Sequence, residues 1–246
     1  YTPCAFYAAA VPECDAVSAS SIDGPTARKS GAYDALNDAH MKRMGVHYLG
    51  WFDSGIRFHL WSTKEMKTDA QGNLDVKGFK VRGNPIYNAF LTNFLGAQVL
   101  NMPSTDIYTA LERGTIEITG WTEIGIMDAN WDKHLKFRLD PKFFSTDLGV
   151  IINAKKWQSL QPKTREFLTK MAMEHEVASI GDMQQIRDRE IAELEKRGIK
   201  TFALGTEAGK RFIDGASAAA HARMKERMDK AGVPNDYDKV VKLFTP

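Results

Sequence analysis

The sequence lacks every short signature that would announce a familiar chemistry. It contains no G-x-G-x-x-G, no G-x-x-x-x-G-K-[ST], no H-E-x-x-H, no G-x-S-x-G and no acidic EF-hand-type loop. Dinucleotide, P-loop, zincin and nucleophile-elbow readings therefore have no local support. Cysteine is scarce: only Cys4 and Cys14 occur, and their spacing fits no zinc or redox motif. Two buried thiols are the preferred reading, and a local disulfide in an oxidising compartment is the open alternative. An excess of one charge is missing as well. The chain carries 33 Lys plus Arg against 31 Asp plus Glu, a formal +2, with neither sign gathered into a long block. Bulk electrostatics thus give no footing for nucleic acid or a membrane surface.

No run of about 18 apolar residues occurs, so no segment reads as bilayer-spanning. Residues 1–20 lack the basic-then-apolar leader pattern, and the expectation is a soluble chain from which any export signal has been removed. The six histidines, His40, His47, His59, His134, His175 and His221, are scattered without a pair at metal-ligand spacing. They read as structural residues, and no metal or other cofactor is expected.

What is present is a foldable pattern. The 246 residues are 43% hydrophobic, enough for one large domain or two small ones with proper cores. Residues 25–45 read as a helix stopped by Gly45, followed by strands over 46–51 and 57–62 and a polar loop over 68–75. From Gly78 the rhythm becomes regular: strand FKVR, helix 86–95, strand 97–102, helix 106–113, strand 115–121. Two consecutive βαβ units follow, hence a parallel sheet with right-handed crossovers. A further strand over 147–153 precedes a short helix and then one long periodic stretch, Pro162–Arg197. As a single helix it would run ~54 Å at about 1.5 Å per residue, longer than one small domain. A strand over 198–204 and a last amphipathic helix over 206–231 complete the pattern, with Phe212, Ile213, Met224 and Met228 facing a core.

In an open parallel α/β sheet, ligands sit beyond the carboxyl ends of the strands. Here those ends are Arg82, Met102 followed by Ser104 and Thr105, and Trp121. A guanidinium offers five donors in a planar fork suited to a carboxylate. Ser104 or Thr105 is expected to cap the helix beginning at Asp106, leaving an anion-friendly terminus, and Trp121 supplies a flat apolar wall. Taken singly, each has a plainer explanation as surface ion pair, cap or core residue. Their convergence on one sheet edge points to a pocket for a small organic anion.

The stretch GFKVRGNPIYNAFLTNFLGAQVLNMPSTDIYTALERGTIEITGW resembles the central segment of the extracytoplasmic solute-binding proteins of TRAP transporters, the DctP type. In that family a D-L-K-G-L-K-I-R strand leads to a G-A-x-x-x-x-M run, then E-V-Y-x-A-L-x-x-G and V-D-G. IINAKKWQSLQPKTREFL, YLGWFDSGIRFHLWS and YAAAVPE extend the similarity over most of the chain. The resemblance implies an α/β, two-lobed periplasmic-binding-protein-like fold with mostly parallel sheets and a long helix spanning both lobes, which closes on its ligand at a hinge. It implies a periplasmic protein, not an enzyme, that delivers a small organic acid to TRAP permease membrane subunits. Lobe I would hold 1–55 and 147–186, and lobe II 56–146 and 187–246. The family's carboxylate clamp falls on Arg82, a second polar contact on Arg57, and further pocket positions on Ser104 and Trp121. Where the metal-assisted 2-oxo-acid subgroup has a Glu-Trp pair, this sequence reads Gly120-Trp121, which speaks against a metal-assisted ligand. The family's V-D-G Asp and Gly are here Glu117 and Ile118. The resemblance also implies a βαβ stretch of several dozen residues ahead of YAAAVPE, without counterpart in this sequence; if it is absent, part of the lobe I pocket wall is absent too.

The alternative from another class is an α/β enzyme that anchors a small carboxylate substrate on Arg82, with Glu117 or Glu123 as the acids placed to serve as base. A receptor subunit that signals instead of transporting is a third reading.

Overall fold

The structure, a computed structural model, describes residues 1–232 and 236–246. Two compact units emerge: Tyr1–Gly55, Ser145–Gln184 and His221–Pro246 form the first, Ile56–Phe144 and Gln185–Ala220 the second. The sequence division assigned 187–246 entirely to the second lobe, whereas His221–Pro246 joins the first unit. Helix Thr206–Ala231 explains the difference, because an unbroken helix carries no boundary in its periodicity. Phe212 enters an aromatic cluster of the second unit, while Met224 and Met228 are buried in the core of the first. Ile213, expected on the same inward stripe, is 44% exposed.

In the first unit, strand Leu148–Asn153 lies between Thr2–Pro3 and Val46–Phe52 and pairs antiparallel with both. Parallel pairing, expected to dominate, is thus found only in the second unit among the described residues. The segment 25–45 is two helices, Gly24–Ser30 and Ala32–Met44, because Gly31 sits at φ 85°, which a helix cannot pass through. Asp23 caps the first of them by accepting the amide of Thr26. Cys4 and Cys14 are joined as a disulfide, so the two-thiol preference is overturned. Three buried acids tie the unit's dispersed segments together. Glu176 accepts from Arg28 and from the amide of Trp51, Glu13 from Arg43, and Asp15 from both Arg223 and Arg227 at 2.8 Å. Losing one member of such a group leaves an unpaired buried charge, which costs about 3–5 kcal/mol.

The second unit is built on one mixed sheet. Its order is Lys200–Ala203, Phe137–Asp140, Arg57–Ser62, Ile118–Thr122, Val81–Gly83, Val99–Asn101. The last three strands are mutually parallel, as are the first two, and Arg57–Ser62 runs antiparallel to Phe137–Asp140 and Ile118–Thr122; a seventh strand, Phe143–Ser145, also pairs with Arg57–Ser62 off this path. The helix expected over 86–95 is a turn leading into a wide π-helical segment, Phe90–Phe94. Phe90 gains from that geometry by meeting the rings of Phe143 and Phe212 at 5.3 and 4.9 Å. A second core gathers Trp61, Ile107, Leu111, Ile116, Trp131 and Leu194. The polar 68–75 stretch contains a small hairpin, Lys67–Thr68 with Leu74–Asp75, held by Arg211 through Asn73 and Gln71.

The long helix runs Pro162–Lys196 without interruption, 35 residues, and contributes to both units. Among the described residues no helix is long and apolar enough to cross a membrane.

Candidate functional site

The parallel strands Val81–Gly83, Val99–Asn101 and Ile118–Thr122 bring their carboxyl ends to the same side of the second unit's sheet. After the first strand the chain reverses through GNPIY. The Asn84 carbonyl accepts the amide of Tyr87 and the Asn84 side chain accepts that of Ile86, a local turn of the kind Asn and Pro favour. The reversal returns Tyr87 to the strand end five residues after Arg82. Gly120 makes room for it: a Cβ there would lie 2.7 Å from the Tyr87 ring. This close approach explains why the position carries no side chain.

Arg82 is 1% exposed and makes no ion pair with any described carboxylate. Its partners are neutral. Nε and Nη2 donate to the Met102 carbonyl at 3.2 and 3.1 Å, and Nη1 donates to the Tyr87 hydroxyl at 2.6 Å. The hydroxyl in turn donates to the Gly120 carbonyl at 2.9 Å. Burial raises the Tyr87 pKa against the pull of Arg82, so the phenol stays protonated and remains a donor. Of the five guanidinium N–H bonds, three are used, and one on each terminal nitrogen has no acceptor among the described residues. A buried cation with neutral anchors and spare donors is a costly arrangement until an anion completes it.

The other expected residues are not among the partners of this anchor. Trp121 and Arg57 stand on adjacent strands, with His59 directly opposite Trp121. Trp121 is half-buried, edge-on to Trp131 at 4.7 Å, and its carbonyl accepts from the Trp61 indole. Arg57 is half-buried; desolvation lowers its pKa and the charge of Glu123 works against that shift. Ser104 is exposed, and neither it nor Thr105 caps the following helix. That helix, Ile107–Glu112, is entered through a 3₁₀ turn with Asp106 at its start and without a side-chain cap bond. The side-chain cap expected there is therefore not formed. Arg82 makes no hydrogen bond, ion pair or ring contact with Arg57, Ser104 or Trp121.

Tyr87 and the Met102 carbonyl, which aim the guanidinium, were not visible as site groups. Tyr87 falls within the helix expected over 86–95, and its spacing from Arg82 across a Gly-Asn-Pro turn is the signal that could have found it.

The two acids of the enzyme reading are already engaged. Glu123 is 2% exposed; it accepts from Lys142 at 2.7 Å and from the amide of Arg57 at 3.0 Å, with His59 Nε2 3.9 Å away. Burial alone would raise its pKa, but these partners outweigh burial and hold the carboxyl at about 2. Glu117 accepts from Lys64 at 2.8 Å and from the amide of Lys80, and it too is held below the ordinary value despite its burial. Carboxylates stabilised in this way are poor proton acceptors at neutral pH.

Residues 26–227 match the family model described as bacterial extracellular solute-binding protein, family 7. A 2,3-diketo-L-gulonate-binding periplasmic protein of Escherichia coli is 28% identical over 137 residues, 55% of this chain and 40% of that one. A monocarboxylate 2-oxoacid-binding periplasmic protein of Nostoc sp. is 25% identical over 152 residues, 60% of this chain and 40% of that one. The match thus spans well under half the length of these curated relatives. Among solved structures, a TRAP periplasmic solute-binding protein from Desulfovibrio salexigens with bound orotic acid superposes with a TM-score of 0.79. The likeness covers 99% of this chain and 77% of that one at 17% identity, so it speaks for the fold.

Proposed function

The chain belongs to the bacterial extracellular solute-binding protein family 7, and on that premise we propose that it captures a small organic carboxylate and hands it to the membrane subunits of a TRAP-type permease. Membership of that family makes it a binding protein and not an enzyme, in keeping with the two committed acids, Glu117 and Glu123. The two compact units correspond, in this reading, to the two lobes of the binding protein.

The observation that carries the proposal is Arg82: a buried guanidinium fixed by the Met102 carbonyl and the Tyr87 hydroxyl, with a donor to spare on each terminal nitrogen. A carboxylate accepts two parallel N–H bonds from such a fork, and the fixed geometry lowers the entropy cost of making them. The diketogulonate, 2-oxoacid and orotic acid in the relatives' names all bear a carboxylate. Arg57, Ser104 and Trp121 are proposed to contact the rest of the ligand, with hydroxyl or oxo groups for the polar pair and an apolar face for the indole.

The test is thermal unfolding against a panel of sugar acids, 2-oxo acids and aromatic acids, with each protein compared with its own ligand-free midpoint. A ligand at about 100 times its Kd adds ~2.7 kcal/mol, a rise of roughly 5–10 °C for a chain of this size. Arg82→Ala should abolish the rise, and Arg82→Lys, which keeps the charge and loses the fork, should weaken binding at least about tenfold. An undiminished rise in Arg82→Ala, or no rise with any acid, would refute the proposal.

A further inference from the structure

Two sulfurs and an imidazole converge in the core of the first unit. Cys4, Cys14 and His40 are each fully buried, and the two Sγ atoms and a ring nitrogen of His40 all lie within 4.8 Å of one another. Among the described residues this is the one His, Cys, Asp or Glu cluster with such geometry. His40 Nδ1 stands 2.7 Å from the Leu36 carbonyl, which can only accept, so Nδ1 carries the proton and Nε2 the lone pair. The partner of Nε2 is the Tyr7 hydroxyl at 3.1 Å.

We propose that Cys4, Cys14 and His40, in the dithiol form of the chain, make a binding site for a thiophilic divalent cation such as zinc. Zinc holds thiolate at about 2.3 Å and imidazole at about 2.0–2.1 Å, so its tetrahedral ligands stand roughly 3.3–3.8 Å apart. The three ligand atoms, within 4.8 Å of one another, need to shift by about an ångström or less on the imidazole side. The sulfurs must part, which cysteines with Cα atoms 5.3 Å apart can accomplish by side-chain rotation. The carbonyl of Leu36 supplies the outer hydrogen bond that orients a metal-bound histidine, and the Tyr7 hydroxyl, which donates to Nε2 in the oxidised chain, turns aside when the cation takes that lone pair.

The chemistry balances with a dithiol as reductant. The Cys4–Cys14 bond takes two electrons and two protons from the dithiol, which closes to its own disulfide; the cation then displaces the two thiol protons. Metal and cross-link therefore exclude each other. A chain that meets zinc before it is oxidised would be held in the same local fold by the cation, and oxidation would expel it. Arg82 belongs to the other unit, so the proposal stands or falls apart from the ligand site.

The full chain, opened with a water-soluble phosphine that leaves no competing thiol, is titrated with zinc alone, and with cobalt as a coloured substitute. The expected result is one zinc per reduced chain, none on the oxidised chain, and a thiolate-to-cobalt charge-transfer band. Cys14→Ser should abolish binding. His40→Gln, which preserves bulk and a donor toward Leu36, should weaken it at least about tenfold. Zinc uptake no greater than by the oxidised chain, or an unchanged affinity in His40→Gln, would overturn the proposal. If opening the disulfide erases the near-ultraviolet circular dichroism, restoration by zinc supports the site and failure to restore it counts against it.

Discussion

Asp147 is a carboxylic acid placed where ionisation is penalised, and replacing it with asparagine should change how stability depends on pH. The side chain is 4% exposed, and its Oδ2 accepts the amide of Ala5 at 3.0 Å. Burial is the main cause that raises its pKa from the ordinary 3.8 to about 7; Asp15 pushes the same way, while the Ala5 bond and Arg223 oppose. The folded chain keeps this proton up to about pH 7, whereas the unfolded chain releases it near 3.8. Between those values the folded state binds more protons, so the contribution of Asp147 to stability falls as pH rises. An interval of roughly three pH units at ~1.4 kcal/mol each sets a ceiling of about 4 kcal/mol. Asp147→Asn retains an oxygen for the Ala5 amide and cannot ionise. Urea unfolding of both proteins at about pH 5, 6, 7 and 8 should show the variant gaining on the wild type by ~1 kcal/mol per unit up to pH 7, and little thereafter. A difference that stays constant over that range would refute the reasoning.

Gly120→Ala places a methyl 2.7 Å from the Tyr87 ring; chemical denaturation should show a loss of about 1–3 kcal/mol, with ligand affinity falling as the Arg82 anchor is displaced. Tyr87→Phe removes the acceptor of Arg82 Nη1 and leaves the Gly120 carbonyl with the longer bond from the Thr119 hydroxyl at 3.3 Å, for an expected cost of about 1–3 kcal/mol by the same measurement. Glu123, held at about 2 instead of 4.5, contributes stability that is present above 4.5 and lost as pH falls toward 2. Acid titration against Glu123→Gln should show up to about 3 kcal/mol of that loss, less to the extent that water screens the half-exposed Lys142.

The regular features of the fold were legible because they repeat. Strands 81–83, 99–101 and 118–122 and the 35-residue helix follow hydrophobic periods long enough to be read. Short or irregular elements were not. The Lys67–Thr68 and Leu74–Asp75 pair has two residues to a side, too few to alternate, and strand Phe137–Asp140 has only four residues. Gly31 lies inside the helix expected over 25–45, and its positive φ, which splits that helix in two, leaves no mark in the hydrophobic period. At the candidate site the sequence offered Arg82 at a strand end but not its neutral anchors, since a backbone carbonyl from residue 102 and a hydroxyl beyond a turn leave no composition signal. The Cys4–Cys14 pairing likewise depends on where the strand near Asp147 brings the chain's first residues.

The triad of Asp15 with Arg223 and Arg227 joins positions about two hundred residues apart along the chain. A polypeptide emerging amino end first must add about two hundred further residues before this carboxylate meets the two cations that pair with it. The second unit is delayed in its own way, because Ile56–Phe144 must await Gln185–Ala220. Contacts of such long sequence separation form slowly, since loop closure must be met before they reward it. Each unit is therefore completed only by segments that lie beyond Gln184 in the chain, and the long helix Pro162–Lys196, which contributes to both, ties the completion of one to that of the other.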